Sequence, residues 1–156
     1  MKKILFILMM LLASQVMLAK NIPAGYVDLG LPSGTLWKSS NEQGRYTYYA
    51  ALNNFGTSLP TRAQFQELVR CCTWRWTGKG CRATGPNNNT IYFSFDGYAD
   101  CDEDIYDIGT SARVWSIDAL SPNSEWAYYC AFFEDSRGMV EDAKCYSVSV
   151  RLVLSE

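Results

Sequence analysis

One stretch of this chain reads as a single kind of element and sets the class of fold around it. Leu59-Pro60 runs into Thr61, Gln64 follows three residues on, and Phe65, Leu68, Val69 and Cys72 then recur at i, i+3, i+4 and i+7. The Thr and Gln form a capping box, in which each side chain satisfies a backbone N–H that the first helical turn leaves without a partner. The apolar recurrence gives one buried stripe, and Arg62, Gln66, Glu67 and Arg70 make the solvated face opposite it. A helix is therefore expected over residues 62–72, ended by Thr77-Gly78-Lys79-Gly80. Strand patterns dominate after it, so the class expected is α+β with one core.

The strand signals are short. Tyr26 to Asp28 and Thr35 to Ser39 flank a Pro32-Ser33-Gly34 turn, and Asn41 to Phe55, polar and rich in tyrosine, is assigned to no element. Cys81 to Thr84 and Thr90 to Phe95 flank Gly85-Pro86-Asn87-Asn88-Asn89, a hairpin loop whose Asn88-Asn89-Thr90 also matches a glycosylation sequon and suits a surface position. Gly97 to Ser111 is acidic and irregular, Arg113 to Ile117 is a short strand, and Ser121-Pro122-Asn123-Ser124 is a turn. Trp126 to Phe133 and Cys145 to Leu154 read as two longer strands around a loop containing Ser136-Arg137-Gly138. In the last, Tyr146, Val148, Val150 and Leu152 alternate with Cys145, Ser147, Ser149 and Arg151, which predicts one buried and one polar face.

The start of the chain points to export. Lys2 and Lys3 precede an apolar run from Ile4 to Leu12, too short to span a bilayer, so residues 1–19 read as a signal peptide cleaved after Ala19. A linker over residues 20–25 then leads to a single domain over 26–156. The expected location is periplasmic or secreted, with no membrane insertion and no lipid attachment, since no cysteine precedes Cys71. Loss of Lys2 and Lys3 leaves 12 basic against 16 acidic residues, a net charge near −4 that suggests no nucleic-acid partner.

Six cysteines remain: Cys71, Cys72, Cys81, Cys101, Cys130 and Cys145. An even number in an exported chain favours disulfides. Cys71 and Cys72 are adjacent, with Cα atoms about 3.8 Å apart, below the usual disulfide span, so at least one is expected to bond elsewhere. Zinc is disfavoured because the chain has no His and no CxxC pair.

Four blocks carry a resemblance to the Fibrobacter succinogenes major paralogous domain, a group of exported bacterial domains common in Bacteroidetes. They are Tyr26 to Trp37, Leu59 to Trp76, Ala83 to Tyr98, and Val114 to Ser116 with Ser147 to Val153. The Leu-Pro-Thr helix start, the Val-Trp strand and the closing strand are also similar to formylglycine-generating sulfatase-type domains. The resemblance implies a C-type lectin-like fold, with small antiparallel sheets, long loops and termini that meet in one sheet. Phe65 stands where that family usually has Trp, and Ile117-Asp118 follows where further Ser residues are common. The sulfatase-modifying relatives use a close cysteine pair near the C-terminus. Cys130 and Cys145 lie far apart and in strands, so that activity is not carried over and both are expected in structural disulfides.

Little else suggests catalysis, because without His the usual general base and triad orienter are missing. Asp100, Asp102 and Asp104 imitate positions 1, 3 and 5 of an EF-hand in the acidic loop 100–107. Position 6 is Ile105 where Gly is needed, and position 12 is Ser111 where Glu is needed. A solvated acidic loop is the preferred reading, no cofactor or metal is expected, and a loop-stabilising Ca²⁺ is the alternative. Trp74 and Trp76 flank Arg75 and could stack on sugar rings, but helix capping by one and core packing by the other are favoured, and core and sheet packing is favoured for Trp126, Tyr128 and Tyr129. The expected function is that of a secreted, non-catalytic binding module for a glycan or surface polymer, with recognition of a cell-surface protein as the alternative and a remnant enzyme as the least favoured. The ligand surface is assigned to the loops between Gly97 and Trp126, with Tyr98, Asp102, Asp104, Tyr106, Trp115, Asp118, Asn123 and Trp126 as candidates.

Overall fold

The computed structural model describes residues 21–155, so the expected signal peptide lies outside the described residues. In chain order the elements are β1 (Tyr26–Asp28), β2 (Leu36–Lys38), α1 (Tyr48–Phe55), a 3-10 turn (Gly56–Ser58), α2 (Arg62–Cys71), β3 (Thr73–Trp76), β4 (Gly80–Thr84) and β5 (Thr90–Ser94). They continue with β6 (Tyr98–Ala99), β7 (Ile105–Tyr106), β8 (Ala112–Ala119), β9 (Trp126–Phe132), β10 (Arg137–Ala143) and β11 (Val153–Leu154). The strands form small antiparallel sheets ordered β1-β2-β11, β10-β9-β8, β3-β4-β5 and β6-β7, so the class is α+β with two α-helices among the described residues.

The capping box is present at α2: Thr61 Oγ1 accepts from the Gln64 amide at 3.2 Å, and Gln64 Oε1 accepts from the Thr61 amide at 2.8 Å. Phe65 and Leu68 are fully buried on its inner stripe. The helix stops one residue before the expected end, because Cys72 is already extended (φ −92°, ψ 150°) and leads directly into β3. That strand has no counterpart in the sequence reading. Trp74 within it does both jobs considered for it. Its Nε1 donates to the Val69 carbonyl near the helix end at 3.4 Å, and its ring lies 5.3 Å from Phe132 and 5.9 Å from Phe93. Trp76 is left exposed.

The segment left without an element holds α1. Thr47 caps it by accepting from the Ala50 amide at 3.3 Å, Tyr48, Ala51, Leu52 and Phe55 face inward, and Gly56 ends it at φ 49°. The hairpin β4–β5 matches its expected position, and its loop is docked on β1, where Asn87 and Asn89 both donate to the Asp28 carbonyl at 2.8 Å. A Cβ on Gly85 would stand 2.0 Å from the Leu29 carbonyl oxygen, so only glycine permits that approach.

The sheet β8-β9-β10 separates two hydrophobic clusters, as the period-2 pleat allows. Val114, Cys130 and Phe132 join Trp37, Phe65, Leu68 and Phe93 on one face, while Trp115, Ala127 and Tyr129 join Tyr48, Ala51, Val148 and Val150 on the other. The Phe93 and Phe132 rings stack at 4.3 Å between the β4-β5 and β9 layers. Burying each such ring contributes about 1.5–3 kcal/mol. Ser136 ends the loop as expected, but Arg137 and Gly138 instead open β10, which pairs with β9 from Arg137↔Phe132 to Ala143↔Trp126.

The closing segment departs furthest from expectation. Cys145 to Leu154 is not one strand with one polar face; only Val153–Leu154 forms β11, which joins β1 and β2 and so brings the first and last strands into one sheet. The residues before it are extended and pair with a different neighbour at each step. Ser147 exchanges backbone hydrogen bonds with Ala99, and Val148 does so with Tyr46. Ser149 donates to the Arg113 carbonyl at 3.0 Å and accepts from the Trp115 amide at 3.1 Å. The carbonyls of Val150 and Leu152 take the amides of Glu42 and Lys38. Threaded between several elements, this segment buries residues of both faces, including Ser149 and Arg151.

Arg151 is the reason the polar face can be interior. Its Nε donates to Asn41 Oδ1 at 2.9 Å, Nη1 to the Lys38 carbonyl at 2.8 Å and Nη2 to the Tyr92 carbonyl at 2.5 Å. The guanidinium lies 4.2 Å from the Phe93 ring centroid. Burial lowers its pKa from the ordinary value to about 9, against the raising influence of Cys81, Asp96 and Glu42.

Candidate functional site

The residues nominated from the sequence divide into three groups. Trp115 is fully buried with its Nε1 donating to the Tyr46 carbonyl at 2.8 Å, so it is a core residue and is withdrawn from any ligand surface. Asp118 and Trp126 lie at the α2 side of the sheet and Asn123 in the turn before β9, whereas Tyr98, Asp102, Asp104 and Tyr106 lie on and around the β6–β7 hairpin.

At the α2 side, an open groove of about 630 Å³ is lined by Thr61, Arg62, Gln66, Asp118, Leu120 and Tyr128. The Arg62 guanidinium lies 3.8 Å from the Tyr128 ring centroid. Asp118 is committed to the scaffold, since its carboxylate accepts from the Arg62 amide at 2.6 Å and from the Ser116 hydroxyl at 3.2 Å. Asn123 belongs to the turn before β9, and Trp126, expected in the core, is exposed beside it. Tyr129 is core and Tyr128 half-buried. Tyr128 and Trp126 share the β9 face of Cys130, while Arg113 pairs with Ala131 and shares the opposite face with Tyr129. The two groups therefore stand on opposite faces of one sheet and cannot form one continuous site.

The other group is more ordered. Tyr98 neighbours two near-parallel rings, with centroids 5.4 Å from Tyr106 (28° between planes) and 5.6 Å from Tyr146 (23°). The Arg113 guanidinium packs 3.5 Å from the Tyr98 centroid. Its Nη2 reaches Asp107 at 3.3 Å, its Nη1 lies 3.3 Å from the Tyr129 hydroxyl and 3.8 Å from Asp142, and its buried Nε has no partner. Tyr129 in turn donates to Asp142 at 3.4 Å. Tyr146 and Arg113, neither of them nominated, complete this arrangement.

Covalent and backbone links hold the face together. Cys101 and Cys145 form a disulfide with Cα atoms 5.1 Å apart, and the Ala99–Ser147 pair exchanges two hydrogen bonds of 2.9 Å. Tyr98 and Tyr146 are therefore each within three residues of the same bridge. The hairpin turn closes on itself, because the Asp100 carboxylate accepts from the amides of Asp102 and Asp104 at 3.0 Å each. Positive φ at Glu103 (68°) and Asp107 (60°) completes the tight path. Among the described residues no three His, Cys, Asp or Glu side chains converge as a metal site.

The local field is negative. The Asp100 carboxylate beside Tyr106 raises that phenol above the ordinary tyrosine value, both by its charge and by their hydrogen bond. Asp142 raises Tyr146 in the same sense. Tyr129 is raised to about 12, first by burial, with Arg113 opposing and Asp142 reinforcing. Tyr106, Ile105 and Ile108 remain exposed, at 43%, 54% and 65%, so the rim of this face carries apolar as well as acidic groups.

The expectation that the cysteines pair throughout is corrected. Cys71, Cys72, Cys81 and Cys130 are free thiols. Cys72, Cys81 and Cys130 are buried in the larger cluster, where a thiol packs as a small apolar group. Burial pushes Cys72 and Cys81 up to about 11 and raises Cys130 as well, so none is poised as a thiolate nucleophile. No helix among the described residues is long and apolar enough to cross a membrane. Comparison with protein-family models, with curated proteins and with solved structures finds no match to this chain.

Proposed function

We propose that this chain is an exported, non-catalytic binding module with a C-type lectin-like fold, similar to the Fibrobacter succinogenes major paralogous domain, and that it recognises a glycan or surface polymer. The observation that carries this reading is the set of near-parallel rings of Tyr98, Tyr106 and Tyr146 at the disulfide. Aromatic rings present an apolar face to the C–H side of a sugar, and the tyrosine hydroxyls can hydrogen-bond its edge. Rings already ordered by a covalent link lose little freedom on binding. Wild-type protein is expected to bind on a glycan array, and Tyr106→Ala is expected to lose binding at least about tenfold while keeping its fold. A folded wild-type sample that binds no glycan, or a Tyr106→Ala variant that binds as well, defeats the proposal.

Recognition of a cell-surface protein is the second reading, supported by Ile105 and Ile108, which stand exposed beside Tyr106. Apolar side chains of this kind suit a protein surface better than a sugar. A variant carrying Ile105→Ser and Ile108→Ser distinguishes the two, because it leaves glycan binding intact and abolishes protein binding.

A further inference from the structure

Resting on the reading of the tyrosine face as a saccharide site, we infer that its ligand is cationic: a polymer of hexosamine units bearing free amines. The molecule already holds one cation in this setting. Arg113 packs 3.5 Å from the Tyr98 centroid and is flanked by Asp107 at 3.3 Å and Asp142 at 3.8 Å. An aromatic face bordered by carboxylates attracts a cation through the ring quadrupole and the acids together.

Arg113 is consumed in doing this, and the charges left around the rings are of one sign. Asp100, Asp102, Glu103, Asp104, Asp107 and Asp142 give six carboxylates against the single guanidinium. Asp102, Glu103 and Asp104 are exposed on the hairpin turn, and no basic side chain among the described residues pairs with them. Lys144, the nearest basic residue in sequence to Tyr146, is buried over the rings of Tyr48 and Tyr49 and adds nothing to this rim. The elevated tyrosines Tyr106 and Tyr146 report the same field. A uronate or sulfated polymer would meet like charge along the whole rim, whereas an ammonium on a sugar stacked at Tyr106 would meet Asp102 or Asp104. Repulsion selects against the first ligand as attraction selects for the second.

The test titrates the full chain, at low salt and mildly acidic pH, with four probes: a β-1,4-glucosamine hexamer, its N-acetylated counterpart, a hexuronate and a hexalysine peptide. The glucosamine hexamer is expected to bind about tenfold more tightly than the acetylated one. That preference should disappear at high salt and in an Asp102→Asn, Asp104→Asn variant, whose exposed positions leave the fold unchanged. Equal binding of both hexamers, lost in Tyr106→Ala, overturns the charge inference and keeps the saccharide site. Tighter binding of the hexuronate overturns it likewise. Binding of hexalysine alone overturns it in favour of a basic protein partner, and no binding by any probe overturns both the inference and the saccharide site.

Discussion

Arg151 lies 4.2 Å from the Phe93 centroid and Arg113 lies 3.5 Å from the Tyr98 centroid, yet the regions around them are built on different principles. Arg151 is fully buried and its three hydrogen-bond partners are two carbonyls and an Asn side chain, none of them charged. Arg113 is mostly buried, its side chain 13% exposed, but it has two partly exposed carboxylates beside it. The first arrangement bears a large desolvation cost and is repaid by tying β2, β5 and the closing segment together. The second has its desolvation offset by the two carboxylates, and it holds side chains in place around a surface. A fully buried cation thus organises the fold, and a mostly buried one with partly exposed carboxylates beside it organises a face that can meet a ligand.

The sharpest test of that contrast is Arg151→Met. It leaves Asn41 and the carbonyls of Lys38 and Tyr92 without their donor, and a loss of about 4 kcal/mol in urea unfolding is expected. A loss below about 1 kcal/mol would mean that the closing segment is held by its backbone pairs instead. Replacing Cys101 and Cys145 together by Ser opens a bridge spanning a separation of 44 residues and should cost about 3 kcal/mol. Loss of the tyrosine signal in near-ultraviolet circular dichroism should accompany it, and a retained signal would show that the Ala99–Ser147 pair suffices to order the rings.

Arg113→Gln should cost less, about 1 kcal/mol, because the carboxylates it meets are 40% and 24% exposed and their attraction is partly screened. A cost as large as that of Arg151→Met would erase the distinction drawn between the two arginines. The smallest effect is expected in alkali. Tyr129 is raised to about 12, mainly by burial, so the stability it contributes is fully present below the ordinary tyrosine value of 10. Above that, the unfolded chain releases the proton first, and this contribution is lost as the pH rises through about 12. Because Arg113 pulls this phenol down, Arg113→Gln should move its phenolate absorbance to still higher pH. An unchanged titration would separate Tyr129 from the Arg113 network.

How much of this was legible from residues alone varies with the kind of signal. Helix α2 was legible because Thr61 and Gln64 satisfy each other locally and the apolar stripe has no rival reading. Helix α1 carried an equivalent signal that went unread, with Thr47 as cap, Tyr48, Ala51, Leu52 and Phe55 at helical spacing, and Gly56 at the end. Two tyrosines and two asparagines within it masked that spacing as polarity. The closing segment misled for a physical reason, since alternation marks a solvent face only where one side of a strand meets water. Here Ser149 and Arg151 meet protein on both sides.

The candidate site shows the same division. Tyr98, Asp102, Asp104 and Tyr106 lie close together in the chain and were found together. Trp115 was misplaced because a tryptophan's size does not reveal whether it faces ligand or core. Arg113 and Tyr146 join the site through the Cys101–Cys145 bridge, the Ala99–Ser147 pair and the β8 register, which no local pattern encodes.

By itself the sequence determined the α+β class, the start of the main helix, the position of the hairpin and the acidic balance of the chain, because caps, turns and periodicity act over a few residues. Only the tertiary structure decided which cysteines bond, that Arg151 lies inside, and that Tyr146 joins Tyr98 and Tyr106 on one surface. Those outcomes depend on pairings between residues tens of positions apart, where the chain's path, and not its local preference, sets which groups meet.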